Sequence, residues 1–341
     1  MIDLRSDNTL GCSPEILESL TRASRGAVAS YGNDPITERL RERCRTIFET
    51  ELDIIPVATG TAANSLALAA MSPPWGGIFC HADAHIQRDE LGAPEFFTGG
   101  AKIIPIDGES GKLHVDALKR SIEEYGSSGR MLVPAALSLT QATEAGTTYS
   151  VNELRELSEL AHAENMLVHV DGARFANAFA AQSRSLADFS WRSGIDVLVF
   201  GATKNGAMAS ELLVIFRRDL TDGLTRRLHR SGHRFSKMRF LSAQLDSYLE
   251  NDLWLRNARQ ANEAAGTLAN GLSELGIEIL RPVQANIVFA RLDPATSSRL
   301  SSSGVSFYDW PLFGDGAVRM VTGWNTEPKD IQRVIGLAAT E

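Results

Sequence analysis

Three cysteines in 341 residues, Cys12, Cys44 and Cys80, are too few and too scattered for a disulfide framework or a metal-ligand cluster. They are expected to be small buried apolar residues of a reduced, cytoplasmic chain, with no metal called for. No apolar stretch is long enough to cross a bilayer. The opening Met1-Ile2-Asp3-Leu4-Arg5-Ser6-Asp7 has neither the basic segment nor the apolar run of a secretory signal. Positive charge is not in excess either, since 34 Lys and Arg stand against 42 Asp and Glu for a net charge of −8, spread along the chain. Partners of the nucleic-acid or membrane kind are therefore not expected. Low-complexity segments and internal repeats are absent, so disorder and a solenoid are excluded.

What is present is an ordinary globular composition, 43% hydrophobic with 28 Gly and 12 Pro, in a chain larger than one usual domain. Asp34-Pro35 precedes Ile36, Leu40, Cys44, Ile47 and Phe48, the apolar face of a helix. Residues 52–58 form a short apolar strand, followed by Thr59-Gly60-Thr61 and a small-residue helix. Further strands are expected at 78–81, 102–106, 131–137, 166–170 and 197–200, with helices at 113–124 and 151–164 and a turn at Ser127-Ser128. Such alternation predicts a largely parallel α/β sheet in a large domain, 1–240. A nearly continuous helix over 241–275, broken near Gly266 or Gly271, would then connect to a smaller α+β domain in 241–341. Its strands are expected at 277–280, 286–292 and 317–321, with helices at 295–302 and 329–338.

Two segments carry the chemical signal: His169-Val170-Asp171-Gly172-Ala173-Arg174 at one strand's end and Phe200-Gly201-Ala202-Thr203-Lys204-Asn205-Gly206 after the next. Ligands bind at the carboxyl ends of strands in open α/β sheets. A lysine among small residues brings an amine close to a cofactor, although a lone lysine in a Gly-rich turn is more often a surface residue. An aspartate buried at a strand end needs a cationic partner, and a protonated pyridinium nitrogen is one. Thr59-Gly60-Thr61 offers hydroxyls and free N–H groups at a helix start, as a phosphate cradle or as a simple N-cap. His85, in a loop after a strand, offers a flat ring to a cofactor or is merely solvated. Arg319 lies in the alternating strand Ala317-Val318-Arg319-Met320-Val321, which does not normally bury an unpaired guanidinium; a substrate carboxylate would satisfy it.

Leu4-Arg5-Ser6-Asp7-Asn8, Tyr31-Gly32-Asn33-Asp34-Pro35, Ala82-Asp83-Ala84-His85 and Val168-His169-Val170-Asp171-Gly172-Ala173-Arg174 together resemble the low-specificity L-threonine aldolases, in the same order and spacing. The resemblance runs from residue 3 to beyond Arg319. It implies the aspartate-aminotransferase-like fold (fold type I): an α/β large domain on a mostly parallel seven-stranded sheet, with a smaller C-terminal α+β domain. By the same resemblance Lys204 would carry pyridoxal 5′-phosphate (PLP) as a Schiff base, Asp171 would pair with its pyridinium nitrogen, and His85 would stack on the ring. Gly60 and Thr61 would hold the phosphate. Ser6 and Arg319 would grip the substrate carboxylate, and Arg174 would contact the cofactor's phenolic oxygen or that carboxylate. Tyr31 falls near the active site where a neighbouring subunit contributes, so a homo-oligomer built as a dimer of dimers is implied.

The match has departures. The loop carrying a Thr-His pair in many relatives reads Leu139-Thr140-Gln141-Ala142-Thr143-Glu144, with Gln141 where the histidine would be. An amide there hydrogen-bonds a substrate hydroxyl but cannot accept its proton. The lysine segment reads Thr203-Lys204-Asn205-Gly206 instead of the Ser-Lys-Gly form. The resemblance implies cleavage of L-threonine, L-allo-threonine and other β-hydroxy-α-amino acids such as phenylserine to glycine and an aldehyde. The alternatives are another PLP reaction, such as β-elimination, and a non-catalytic PLP-binding protein.

Overall fold

The computed structural model describes residues 1–126, 132–182 and 184–339. After a short strand β1 (Ile2–Asp3), the apolar runs become β2 (Asp53–Val57), β3 (Gly76–His81), β4 (Lys102–Ile106), β5 (Val133–Thr140), β6 (Leu167–Gly172), β7 (Val197–Gly201) and β8 (Glu211–Ile215). From β2 to β8 they form one seven-stranded sheet in the order β2-β8-β7-β6-β5-β3-β4. All run parallel except β8, which is antiparallel to both its neighbours. The α/β sheet expected from alternation is present, with β8 an added strand that follows the Lys204 turn without an intervening helix. Met131 and the Ser127-Ser128 turn lie outside the described residues, and the expected strand there is seen from Val133.

Strands covered on both faces read as unbroken apolar runs. Successive side chains then serve opposite cores: Leu198 and Phe200 pack into one cluster, Val197 and Val199 into the other. Cys44 and Cys80 sit in these two cores, and all three cysteines are free. Some helices begin on side-chain caps. Asp34 accepts from Ile36 and Thr37 at the start of Pro35–Phe48, and Ser150 forms a capping box with Glu153 at the start of Val151–Ala163. No described helix is long and apolar enough to cross a membrane.

The C-terminal part adds β9 (Glu278–Ile279), β10 (Ile287–Arg291), β11 (Val305–Ser306), β12 (Tyr308–Asp309) and β13 (Ala317–Val321). Four of them make the antiparallel sheet β12-β13-β10-β9, while β11 pairs in parallel with β1. Ile2 and Leu4 are buried with Val288, Val305 and Met320, so the first residues pack in the C-terminal core.

The expected break near Gly266 or Gly271 is corrected. Leu253–Glu274 is one helix through both glycines, and the interruption from Arg239–Leu249 falls at Asn251 and Asp252, with φ of 51° and 56°. Asn and Asp tolerate this left-handed region. Gly271 stays helical because Ile335 packs against it, where a Cβ would meet Ile335 Cδ1 at 2.4 Å.

Close approach fixes another glycine. A Cβ on Gly172 would stand 2.2 Å from the Val199 carbonyl oxygen. Gly172→Ala is therefore expected to cost about 1–3 kcal/mol by overpacking. Gly266→Ala, whose added methyl meets nothing within 4 Å, should gain about 0.5–1 kcal/mol from helix propensity. Urea unfolding of both variants checks the opposite signs.

Candidate active site

The parallel strands end at one edge, and the polar side chains gather there. Asp171, the fifth residue of β6, is buried; its Oδ1 accepts from Ala173 N at 3.0 Å and its Oδ2 from Asn64 Nδ2 at 2.9 Å. Asn64, on the helix Gly60–Met71, donates its other hydrogen to Glu90 Oε1 at 2.8 Å. The same Glu90 oxygen accepts from His85 Nδ1 at 2.8 Å. A hydrogen-bonded chain His85–Glu90–Asn64–Asp171 thus runs behind the site. Burial and the charge of Asp171 hold the Glu90 carboxyl above its ordinary range, against the pull of His85 and Asn64. The hydrogen bond to Glu90 raises His85 in turn, with burial opposing it. Glu90 Oε2 has no hydrogen-bond partner among the described residues. His85, Glu90 and Asp171 also bring one ligand atom each within 4.8 Å, a set that a cation could use, though the Asn64 amide already bridges the two carboxylates.

Lys204 sits in a tight turn after β7. Thr203 accepts from Ser210 N at 3.1 Å, Ala202 N donates to Glu211 Oε2 at 3.0 Å, and Asn205 is held by Tyr248 and the Trp254 carbonyl. Gly206, at φ 108°, closes the turn against Asn257. The half-buried Lys204 amine has no hydrogen bond or ion pair to another described residue. Thr59 caps its helix by accepting from Ala62 N at 3.2 Å, so the N-cap is real; beside it Gly60 and Thr61 remain part-exposed, with open space where a Gly60 Cβ would stand. His169, in the same motif as Asp171, is buried against Ser138 and pushed down to about 4 by burial, which makes it a neutral structural residue.

Two arginines approach from the other side. Arg174 makes a buried bidentate pair with Asp7, Nε to Oδ2 at 2.7 Å and one terminal nitrogen to Oδ1 at 2.9 Å, and Asn286 Nδ2 adds a bond to Asp7 at 3.1 Å. Burial favours the neutral acid, but Arg174 and Lys204 prevail and hold the Asp7 carboxyl low. Arg319 on β13 is also buried, with its guanidinium 5.3 Å from the Trp310 ring centre and an unpartnered Nε. Burial first, then repulsion from Arg174, push it down to about 10. Arg319 makes no ion pair among the described residues, though the charges of Glu144 and Asp7 act on it, and an anion would satisfy such a buried guanidinium.

The remaining expected residues are placed less simply. Ser6 is half-buried and its oxygen accepts from Asn8 N, which leaves its hydroxyl hydrogen free to donate. Tyr31 lies on an exposed turn under the Arg234 guanidinium, 4.9 Å from its ring centre, with no hydrogen bond or ring contact to the other site residues among those described. Gln141 is fully buried, its amide nitrogen donating to the Tyr149 carbonyl at 2.9 Å and its amide oxygen accepting from Tyr149 N at 3.0 Å. These bonds shape the loop and leave no exposed surface for a substrate. Asn64, Glu90 and Glu211 went unnoticed in the sequence. Their one signal is a polar residue inside an otherwise apolar run for Asn64 and Glu211; Glu90 has none beyond its place five residues after His85.

Comparison with known proteins gives the family and the fold. The profile of the beta-eliminating lyase family matches residues 3–295. The low specificity L-threonine aldolase of Pseudomonas aeruginosa is 40% identical over 339 residues, covering 98% of this chain and 95% of that protein. A solved threonine aldolase of Leishmania major superposes with a TM-score of 0.93 at 26% identity, over 99% of this chain and 98% of that one. The aspartate aminotransferase of Thermus thermophilus, with maleate, reaches 0.71 at 18% identity over 99% and 91% of the two chains, a likeness of fold.

Because His85 holds its proton more tightly when folded, the pair with Glu90 stabilises the protein below about pH 6.5, and that contribution fades as pH rises through the raised value. Glu90→Gln keeps an acceptor but removes the charge, so the His85 midpoint should fall back toward about 6.5. NMR of histidine-labelled protein reads this directly, and an unmoved midpoint would show that Glu90 does not hold the proton.

Proposed function

The chain belongs to the beta-eliminating lyase family, and on that footing we propose that it is a PLP-dependent aldolase cleaving L-threonine, L-allo-threonine and related L-β-hydroxy-α-amino acids to glycine and an aldehyde. The observation that carries this reading is the unbonded Lys204 amine at the same sheet edge as buried Asp171, together with a buried Arg319 whose Nε has no hydrogen-bond partner. The residues fit the cofactor: an amine without a competing partner, a carboxylate for the ring nitrogen, a part-exposed ring at His85, and open space at Gly60 and Thr61 for the phosphate. PLP, when bound, supplies the electron sink that amino-acid cleavage needs.

The protein's part is attachment, orientation and charge. Lys204 would hold the cofactor covalently, Asp171 would keep its ring nitrogen protonated, and His85, braced by Glu90, would lie on the ring. Arg319, with the Ser6 hydroxyl, would grip the substrate carboxylate and so set which bond at Cα is aligned for cleavage. Arg174 is locked by Asp7 and presents only its remaining nitrogen to the same space. Exposed apolar residues near this edge, Leu91 directly after Glu90 and Met208 after the lysine turn, support a homo-oligomer in which Tyr31 serves a neighbouring subunit.

Borohydride treatment followed by peptide mass mapping is expected to find the cofactor on Lys204, and Lys204→Ala should carry none. Incubation with threonine should release glycine and acetaldehyde; release of ammonia and a 2-oxo acid would favour β-elimination. Arg319→Ala should raise KM roughly tenfold or more with a smaller change in kcat, because it removes ground-state binding. Asp171→Ala should instead lower kcat. With Gln141 engaged by Tyr149, one neutral hydrogen bond, about 0.5–1.5 kcal/mol, is the most that reads the hydroxyl. The kcat/KM values for L-threonine and L-allo-threonine should then lie within roughly two orders of magnitude. A preference beyond about a thousandfold contradicts it.

A further inference from the structure

Glu211 has no part in the chemistry above. Because β8 alone is antiparallel, its first residue lies at the edge where the parallel strands end. The register places Glu211 opposite Gly201 on one side and Val57 on the other, between the lysine turn and the strand leading into Thr59-Gly60-Thr61. The rest of β8 is Leu212, Leu213, Val214 and Ile215, so a buried carboxylate here is out of character with its strand. Its Oε2 accepts the Ala202 N–H at 3.0 Å, two residues before Lys204. The Lys204 amine and the Thr203 hydroxyl attract it, and Asp171 on β6 repels it. Tyr248, from Arg239–Leu249, faces it as well, donating its hydroxyl to the Gly201 carbonyl at 3.2 Å. Burial pushes the Glu211 carboxyl up to about 7, with Thr203 and Lys204 drawing it down. Asp7 also acts on Lys204, but Arg174 neutralises it bidentately. Glu211 is thus the carboxylate beside the lysine that no arginine balances.

We propose that Glu211 is a positioning residue for the cofactor lysine: it fixes the Ala202–Lys204 turn and supplies the negative charge that keeps the Lys204 nitrogen positively charged when it carries the cofactor. The proposal rests on the reading that Lys204 binds PLP. A purely structural role makes a different prediction, because the amide of a Gln still accepts the Ala202 N–H and loses only the charge.

The test is a pH titration of the near-visible absorption band of the PLP-loaded protein, in wild type, Glu211→Gln and Glu211→Asp. The midpoint should fall by roughly one pH unit or more in Glu211→Gln, as expected for losing a neighbouring opposite charge, and Glu211→Asp should stay nearer wild type. PLP affinity, read by equilibrium dialysis, should weaken in Glu211→Gln. Should that variant fail to fold, Thr203→Val, which removes the hydroxyl that draws the same carboxylate down, must move the midpoint the same way by less. If the wild type forms no lysine-bound band, the cofactor reading fails and this proposal with it. If the band forms and its midpoint is unmoved in Glu211→Gln, or in Thr203→Val where only that variant folds, this proposal alone is overturned.

Discussion

The buried pair between Asp7 and Arg174 is the contact on which the arrangement of the site depends. It joins the N-terminal segment to the end of β6, and through Asn286 it reaches the C-terminal part as well. Removing two charges from water is costly, and such a pair persists only when its geometry is good and its remaining valences are met. The bidentate fork and the Asn286 amide supply both conditions. One guanidinium is thereby cancelled while Arg319, facing the same space, is left with an unpartnered Nε and a repelling neighbour. That imbalance supports the proposal that Arg319 takes a substrate carboxylate.

On the sheet side of the site the logic is carried by carboxylates. Asp171 faces the centre, with Glu90 behind His85 on one flank and Glu211 beneath Lys204 on the other. Both glutamates are pushed up by burial and drawn back by a cationic or hydrogen-bonding neighbour. In the proposed function each would act through a partner, His85 or Lys204, and not on the cofactor directly. Rigid hydrogen bonds to Asn64 and to the Ala202 backbone keep these charges where they are needed.

Much of this was legible beforehand. The strand ends carrying Asp171 and Lys204 announce themselves by short apolar runs breaking into polar and glycine residues, and Arg319 by its place in an alternating strand. Gln141 shows the opposite case. A loop amide looks available for a ligand, but the path of residues 141–149 folds Tyr149 back onto it and closes both its bonds on the backbone. The helix break expected at Gly266 or Gly271 is absent, since both lie inside the helix Leu253–Glu274, and Gly271 answers to Ile335 across the helix pair and not to local flexibility.

Sequence by itself determined the periodicity of the strands and helices, the parallel α/β architecture and the residues that end each strand, because these depend on neighbours a few positions away. Only the tertiary structure decided which of those residues meet. Asn64 lies 26 positions before Glu90 and 107 before Asp171, and Asp7 lies 167 before Arg174. Such pairings exist only once the sheet is assembled, since strand order and direction bring distant polar groups to one edge. The one antiparallel strand of the seven-stranded sheet carries Glu211 there too, where a local pattern of apolar residues shows no more than an oddly placed acid.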